Sequence, residues 1–263
     1  MSENIDIIVS ELITLLKGNF ERLKATISDQ KVGIIVSGGL DSSIVAHFGV
    51  LYFTHPNYLS LAGDNSLDEP FLGILSNFLN QPIERINPQT FTVEDLDEVK
   101  NILASESIET NLMQMSLALG FYLLAKKAQS IGLKYILTGQ GSDEIFGGYT
   151  RYKKYDGNLK DFLQTDYETV GRIDYKRDSA ILSHFGIKII NPYEEENFLQ
   201  YALSIPTELK LYTQDNQIIE KYILRLAAQK LGLPGEIVWR PKKAFQYSSR
   251  MQKILAKYLG IKL

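Results

Sequence analysis

The spacing of apolar positions changes several times along the first 140 residues, and each change predicts a new element. Between residues 3 and 28 the apolar side chains recur at helical spacing, which predicts an amphipathic helix. Residues 31–36 form a short apolar run that is rich in β-branched residues and stops at Gly38, which is typical of a strand buried on both faces. Residues 41–52 then return to a helical pattern.

The same alternation of short apolar runs and longer helical patterns continues to residue 138. Strands are predicted at 58–62, 83–86 and 133–138, and helices at 68–79, 92–104 and 111–131. Strands that alternate with helices indicate an α/β fold built on a parallel sheet.

Beyond residue 150 the strand signals become sparse. Helices are predicted at 194–204, 216–231 and 248–259, with a short strand at 187–190. We therefore divide the chain, residues 1–263, into a nucleotide-binding sheet over 1–150 and a helical half over 151–263.

Composition excludes several classes of site. The chain has no cysteine, which rules out disulfides, thiolate metal sites and thiol nucleophiles within it. Its three histidines show no metal-ligand spacing, and a net charge of −3 does not indicate a nucleic-acid partner. No apolar run is long enough for a membrane span, and the N-terminus does not resemble a signal peptide, so we expect a cytoplasmic enzyme.

The clearest chemical signal is the segment that follows the first strand, Ser37-Gly38-Gly39-Leu40-Asp41-Ser42-Ser43, here called the phosphate loop. Two glycines allow a sharp turn close to an anion, and the N–H groups that open the next helix point towards it. The loop lacks the lysine of a Walker A motif and the third glycine of a dinucleotide fingerprint. It therefore predicts a phosphate site of another kind, although a plain helix cap at Asp41 would give a similar pattern.

A second glycine-rich segment follows the strand at 133–138 and runs from Thr138-Gly139-Gln140-Gly141 into Ser142-Asp143-Glu144. The carboxyl ends of parallel strands lie at one edge of the sheet, where ligands bind. Asp41 and Asp143 are thus expected to converge on one Mg²⁺ that bridges phosphates, since Mg²⁺ prefers carboxylate and phosphate oxygens.

Together these motifs resemble the asparagine synthetase family of N-type ATP pyrophosphatases. The phosphate loop is similar to the family's pyrophosphate loop, and residues 137–149 are similar to its Leu-x-Gly-Glu-Gly-x-Asp-Glu-x-Phe-Gly-Gly-Tyr motif. Trp239-Arg240-Pro241-Lys242-Lys243-Ala244-Phe245 matches the late segment that carries a lysine over the reacting phosphate, and Arg177-Asp178 matches the acceptor region weakly.

The resemblance implies a parallel sheet of the adenine nucleotide α-hydrolase type, that is, a PP-loop ATP pyrophosphatase, with a helical C-terminal half that holds the acceptor. It implies ATP and Mg²⁺, with Lys242, Asp41 and Asp143 as catalytic residues and both aspartates as metal ligands. The remaining residues assigned to ATP are Ile35, Ser37, Gly38, Gly39, Leu40, Ser42, Ser43, Thr138, Gly139 and Gln140.

Three departures concern the acceptor and the nitrogen donor. The family's glutaminase domain begins with a cysteine, and this chain has none, so we expect free ammonia, a separate glutaminase partner or an amine already in the substrate. Gln140 stands where the family has a glutamate, and a neutral amide cannot act as a base near pH 7. Ile190 stands near the position of a family arginine that would hold a substrate carboxylate.

The leading hypothesis is therefore adenylation of a carboxylate, with release of AMP and pyrophosphate, followed by attack of an amine. Aspartate and ammonia, giving asparagine, are the first assignment. Gln140 and Ile190 favour another amide- or lactam-forming synthetase. A nucleotide-binding subunit without catalysis is the third reading, and the complete set of Asp41, Asp143 and Lys242 argues against it.

Overall fold

A five-stranded parallel sheet forms the centre of the molecule in the computed structural model, which describes residues 2–27 and 30–262. Its strand order is β3-β2-β1-β4-β5. The strands are β1 (Val32–Ile35), β2 (Asn57–Leu61), β3 (Ile83–Ile86), β4 (Tyr135–Leu137) and β5 (Lys188–Ile190). Every neighbouring pair is parallel, which confirms the predicted fold class.

The chain order of the strands creates a cleft beside β1. From β1 the chain moves outwards to β2 and β3, then returns to place β4 on the other side of β1. Ile34 accordingly pairs with Tyr58 on one side and with Leu137 on the other. The loops that follow β1 and β4 therefore leave the sheet side by side at its switch point, where open α/β sheets bind ligands.

Helices cover both faces of the sheet. They are α1 (Ser2–Ile27), α2 (Leu40–Tyr52), α3 (Glu69–Leu79), α4 (Val93–Ser105), α5 (Leu112–Ser130), α6 (Ser142–Phe146), α7 (Leu159–Asp166), α8 (Arg172–His184), α9 (Glu196–Ser204), α10 (Thr207–Lys210), α11 (Tyr222–Lys230), α12 (Gly235–Val238), α13 (Phe245–Ser248) and α14 (Met251–Tyr258). A π-helical turn, Tyr167–Gly171, joins α7 to α8.

Two apolar cores result from this arrangement. One contains side chains of α1, α2, α3, α9 and α11, and the other contains side chains of α4, α5, α8 and α14. All four residues of β1 are buried, as the sequence predicted for a strand with helices on both faces. Of the first predicted helix, residue 28 lies outside the described residues. Within the described ranges, no helix combines the length and the apolar character that crossing a bilayer requires.

The prediction of one helix over 216–231 is wrong in its first part. Gln217–Glu220 is strand β7, which pairs in antiparallel fashion with β6, Leu211–Gln214. The two residues between these strands, Asp215 and Asn216, both have positive φ angles, 49° and 60°. Two consecutive positive φ angles form the tight turn that hairpins prefer, and Asp and Asn tolerate them better than most residues.

The division at residue 150 stays a prediction, but the sheet itself crosses that boundary because β5 belongs to it. The short strand predicted at 187–190 is confirmed. Helices α7 and α8, which the sequence pattern did not reveal, fill the interval between residues 159 and 184.

Candidate active site

The phosphate loop bends sharply at Gly38 and enters α2 at Gly39. Gly38 has a φ of +65°, and a Cβ atom there would lie 2.6 Å from the Cβ of Phe71. Gly39 is the N-cap residue of α2. The Ser42 hydroxyl holds the turn closed, since it accepts from the Ser37 N–H at 3.2 Å and donates to the Gly39 carbonyl at 3.3 Å. The first N–H groups of α2 thus remain available to an anion.

The loop after β4 lies directly against the phosphate loop. A Cβ atom on Gly139 would lie 2.8 Å from the Ser42 nitrogen and 2.9 Å from the Asp41 carbonyl carbon, so only glycine allows this approach. The Ser142 hydroxyl donates to Asp41 Oδ1 at 2.7 Å. The predicted convergence of the two glycine-rich segments is therefore present in the fold.

Most of the sequence-predicted residues line one cavity of about 460 Å³ between these loops. Its walls include Ile35, Ser37, Gly39, Leu40, Asp41, Ser42, Thr138, Gly139, Gln140, Asp143 and Lys242. Gly38 contributes the turn. Ser43 is fully buried in the first turn of α2, and its hydroxyl has no hydrogen-bond partner among the described residues.

Four charged side chains meet at the floor of the cavity. Lys221 Nζ lies 2.7 Å from Asp41 Oδ2 and 2.7 Å from Asp143 Oδ1, so one ammonium group joins both carboxylates. Lys242 Nζ lies 2.5 Å from Asp143 Oδ2 and 3.8 Å from Asp41 Oδ2. Two carboxylates and two ammonium groups balance each other in a largely buried place.

Neighbouring charges fix the protonation states of Asp143 and Lys242. Burial alone would raise the pKa of Asp143, but the Lys221 and Lys242 ammonium groups outweigh burial and hold that pKa well below its usual range. Burial opposes the charge on Lys242, and the carboxylates of Asp143 and Asp41 outweigh it, so the pKa of Lys242 is raised. Asp143 is therefore an anion and Lys242 a cation at neutral pH.

The donor set fits a divalent cation that is also bound by phosphate. Asp143 Oδ1 accepts no hydrogen bond of good geometry from the part of the chain that the structure describes, although Lys221 Nζ lies 2.7 Å from it. A buried carboxylate oxygen left in this condition can take a metal ion. No group of three or more His, Cys, Asp or Glu side chains suited to a metal occurs in residues 2–27 and 30–262, so the ion would need oxygens from a phosphate ligand.

Lys221 was missed by the sequence analysis, although it is the most buried cation of the cluster at 2% exposure. It follows the β6–β7 hairpin with a φ of 55° and no recognisable motif around it. Gly148 makes room for it, since a Cβ atom at 148 would lie 2.2 Å from Lys221 Cε and 2.0 Å from Asp143 Oδ1. The Asp-Asn turn could have predicted the hairpin, but not the contact.

Residues 239–245, here called the strap, carry Lys242 over the cavity. Arg240 anchors the strap, because its guanidinium donates to the Ser37 carbonyl at 2.8 Å and to Asp68 Oδ1 at 2.6 Å. It also lies 3.9 Å from the centre of the Phe71 ring. Trp239 is 44% exposed at the start of the strap.

Arg225 joins the strap to the segment of Lys221. Its guanidinium donates to the Glu220 carbonyl at 2.7 Å, to the Val238 carbonyl at 2.5 Å and to the Arg240 carbonyl at 3.2 Å. One buried side chain thus fixes the backbone next to Lys221 and the backbone that leads to Lys242.

Beyond Gln140 the cavity is bordered by a buried pair of opposite charges, Arg177 and Asp178. The Gln140 side-chain amide donates to Asp178, which is fully buried. Burial raises the pKa of Asp178 to about 6, although Arg177 and Gln140 act in the opposite direction. Arg177 donates to both Asp178 oxygens, at 2.7 and 2.9 Å. Of the weak acceptor match at residues 177–178, Arg177 lines the cavity, and Asp178 is buried next to Gln140.

Comparison with known proteins gives one consistent family. The family model described as Asparagine synthase matches residues 22–169 and 154–261. The protein named "Putative asparagine synthetase (glutamine-hydrolyzing) 1" of Methanocaldococcus jannaschii is 30% identical over 260 residues, which cover 86% of this chain and 47% of the relative. The asparagine synthetase (glutamine-hydrolyzing) of Sandersonia aurantiaca is 29% identical over 240 residues, which cover 85% and 45%.

The chain thus spans a little under half the length of these two relatives. Among solved structures, NMN synthetase from Francisella tularensis aligns with 98% of this chain and 87% of its own, at 16% identity and a TM-score of 0.44. The family model alone covers well over half of the residues, including the phosphate loop, the loop after β4 and the strap. By that match, the chain belongs to the asparagine synthase family.

Proposed function

We propose that this chain is the synthetase unit of an ATP-dependent, amide-forming ligase that cleaves ATP between the α- and β-phosphates. The observation that carries the proposal is the balanced cluster of Asp41, Asp143, Lys221 and Lys242 beside the phosphate loop. Two cations held by two carboxylates can be transferred to phosphate oxygens when ATP enters, because a polyanion offers them stronger partners than the carboxylates.

In the first step an oxygen of the substrate carboxylate attacks the α-phosphorus of ATP. A bond between that oxygen and phosphorus forms, the bond from the α-phosphorus to its bridging oxygen breaks, and pyrophosphate leaves with the electron pair. Lys221 and Lys242 lie where they can neutralise the charge that develops on the leaving oxygens. The N–H groups that open α2 can hold the pyrophosphate.

Asp41 and Asp143 would hold Mg²⁺ in this site. When bound, that ion supplies charge neutralisation for the phosphate oxygens and fixes their orientation. When the two lysines move to the phosphates, the carboxylate oxygens of the two aspartates become available to the metal. The same four residues can therefore pair with one another without ATP and bind ATP and Mg²⁺ when these enter.

In the second step the nitrogen of an amine attacks the acyl carbon. The C–N bond forms, the bond from the acyl carbon to the AMP oxygen breaks, AMP leaves with the electron pair, and the amine releases one proton to solvent. Ammonia, supplied free or by a glutaminase unit, is the donor that the family membership suggests. The names of the two relatives give asparagine as their product. Aspartate, the acid that corresponds to this amide, therefore serves as the reference acid in the tests.

The proposal predicts AMP and pyrophosphate as the stoichiometric products of acid-dependent ATP cleavage. Replacing Asp143 with Asn should lower the rate of pyrophosphate release by at least about 100-fold, because a metal ligand and the partner of both lysines lose their charge. The measurement is single-turnover release of AMP and pyrophosphate with a panel of carboxylic acids and ammonia. Asp161→Asn, an exposed aspartate in the first turn of α7, is the matched control and should retain full activity.

ADP and phosphate as products would contradict the proposal directly. Near-normal pyrophosphate release by Asp143→Asn, with the wild-type circular dichroism spectrum, would refute the role of the cluster.

A further inference from the structure

The part of the cavity beyond Gln140, here called the acceptor end, has an excess of negative charge. Asp174 lines it and Asp178 lies fully buried next to Gln140, so two carboxylates stand against the one guanidinium of Arg177. Glu144, the third carboxyl group here, accepts from the Tyr149 hydroxyl, and burial raises its pKa to about 7, so it is not fully ionised at neutral pH. Arg177 is only 2% exposed and is already saturated by its neighbours. Besides Asp178, it donates to Asp174 Oδ1 at 2.6 Å and to Gln114 Oε1 at 2.8 Å. It therefore has little capacity left for a substrate carboxylate.

The other cations on the cavity wall are also engaged. Arg151 lies 2.6 Å from Asp166 and covers the Tyr149 ring at 4.3 Å. Arg225 and Arg240 donate to backbone carbonyls, as described above, and Lys221 and Lys242 hold the catalytic carboxylates.

Among the described residues, Lys243, an exposed residue of the strap, is the remaining cation that lines the cavity. Two residues later, Phe245 packs against Phe121 of α5 with ring centroids 5.5 Å apart. Phe121 follows Gln114 by seven residues, which is about 10 Å along an α-helix. The strap on either side of Lys243 is thus fixed to the phosphate loop through Arg240 and to α5 through Phe245, two turns of that helix away from Gln114, which accepts from Arg177.

Apolar side chains form the rest of the acceptor end. Leu117 and Val170 line it, together with Met113 and Ile173, which are 44% and 48% exposed. Large apolar side chains that remain this exposed at the mouth of a cavity gain free energy when an apolar ligand covers them.

From these observations we infer that the acid activated at this site carries a cationic nitrogen and an apolar body, and that its only carboxylate is the one that reacts. The excess of carboxylates attracts the cationic nitrogen of the substrate, and the apolar side chains cover its apolar body. A second carboxylate on the substrate would meet no unpaired cation among the described residues of the acceptor end. The inference rests on the proposed function and narrows its acid. It places aspartate, a dicarboxylate with no apolar body, among the poorer substrates.

Three acids of equal chain length test the inference: 6-aminohexanoate, hexanoate and adipate, with L-aspartate as the reference. The measurement is acid-dependent exchange of radiolabel between pyrophosphate and ATP, which reports the first step without any nitrogen donor. We expect 6-aminohexanoate to give the highest kcat/KM, by about tenfold or more over adipate and aspartate, since a charged hydrogen bond is gained instead of a charge repulsion.

Asp174→Asn supplies the protein side of the test. It removes one carboxylate and frees part of the Arg177 guanidinium, so the KM for 6-aminohexanoate should rise about tenfold relative to that for hexanoate, and the KM for adipate should fall. Asp97→Asn, on the exposed surface of α4, is the matched control and should change none of these ratios.

The possible failures can be told apart. Exchange that is faster with adipate or aspartate than with 6-aminohexanoate would overturn the inference and leave the proposed function intact. If no acid supports exchange, the proposed function fails. Calorimetric titration of the ATP-loaded protein then decides the inference by itself: tighter binding of 6-aminohexanoate than of adipate supports it, and equal or weaker binding overturns it.

Discussion

Single side chains decide how the acceptor end of this site behaves, and Gln140 shows this most clearly. From the sequence, a glutamate at 140 is expected to supply a base for the amine. The contact between the Gln140 amide and the buried Asp178 carboxylate changes that expectation. A glutamate there would put two carboxylates against each other in a buried place.

Gln140→Glu should therefore lose stability as the pH rises. The shared site raises the folded-state pKa values of the carboxylates above their unfolded values, so the folded protein binds more protons, and the free energy of unfolding falls with pH. We expect a loss on the order of 1–3 kcal/mol between pH 5 and pH 8 relative to wild type. Urea unfolding at both pH values measures it, and Gln140→Met, which removes the amide without adding charge, is the control. Parallel pH dependence in all three proteins would rule out the carboxylate contact.

Among the elements, the strands of the sheet and the loops that follow them could be predicted from the sequence. The β6–β7 hairpin was missed, although its Asp-Asn turn is a signal for one, and its contact with the site could not be predicted. β1 and β4 are short apolar runs that end in glycines, and the rule that parallel strands end at one edge was sufficient to bring Asp41 and Asp143 together. Lys221 reaches Asp41 from 180 residues away in the sequence, at the end of a hairpin whose polar turn has no phosphate-binding motif. Contacts of that kind depend on the packing of distant elements.

The hairpin and the strap act as a pair because Arg225 holds both. Arg225→Lys keeps the positive charge but cannot donate to the carbonyls of Glu220 and Val238 together. Lys221 and Lys242 would then be less well placed, and we expect kcat for pyrophosphate release to fall about 10- to 100-fold, with the melting temperature lowered only slightly. Arg85→Lys is the matched control, because Arg85 also donates to a backbone carbonyl, that of Ile83, and pairs with Glu69 on the surface, away from the site. Unchanged kcat in Arg225→Lys would show that the lysines are positioned without it.

At the scale of the whole molecule, one buried charge contributes unfavourably to stability. Lys210, at the end of α10, is 1% exposed, and the one partner of its ammonium within residues 2–27 and 30–262 is the distant Leu203 carbonyl at 3.5 Å. Burial, with a smaller effect of Lys160, lowers the pKa of Lys210 to about 8 from its ordinary value of 10.5. The unfolded chain therefore binds more protons between these values, and stability should rise with pH across this window.

Lys210→Met should remove this dependence. We expect the variant to be more stable than wild type at pH 7 by up to about 3 kcal/mol, and the difference to shrink as the pH rises from 8 to 10. The measurement is urea unfolding across that range, with the exposed Lys160→Met as the control for loss of a nearby charge. A variant that is less stable at pH 7 would mean that the Lys210 ammonium has a stabilising partner after all.

The position of Trp239 on the strap has a practical consequence. It is the only tryptophan of the chain, it is partly exposed, and its ring lies 6.0 Å from the guanidinium of Arg225, three residues before the lysine that faces Asp143. Its fluorescence, excited selectively over the tyrosines, therefore reports on one short segment beside the reaction centre. Any ligand that draws Lys242 away from Asp143 alters the surroundings of this indole, so the protein carries an intrinsic optical probe that needs no label.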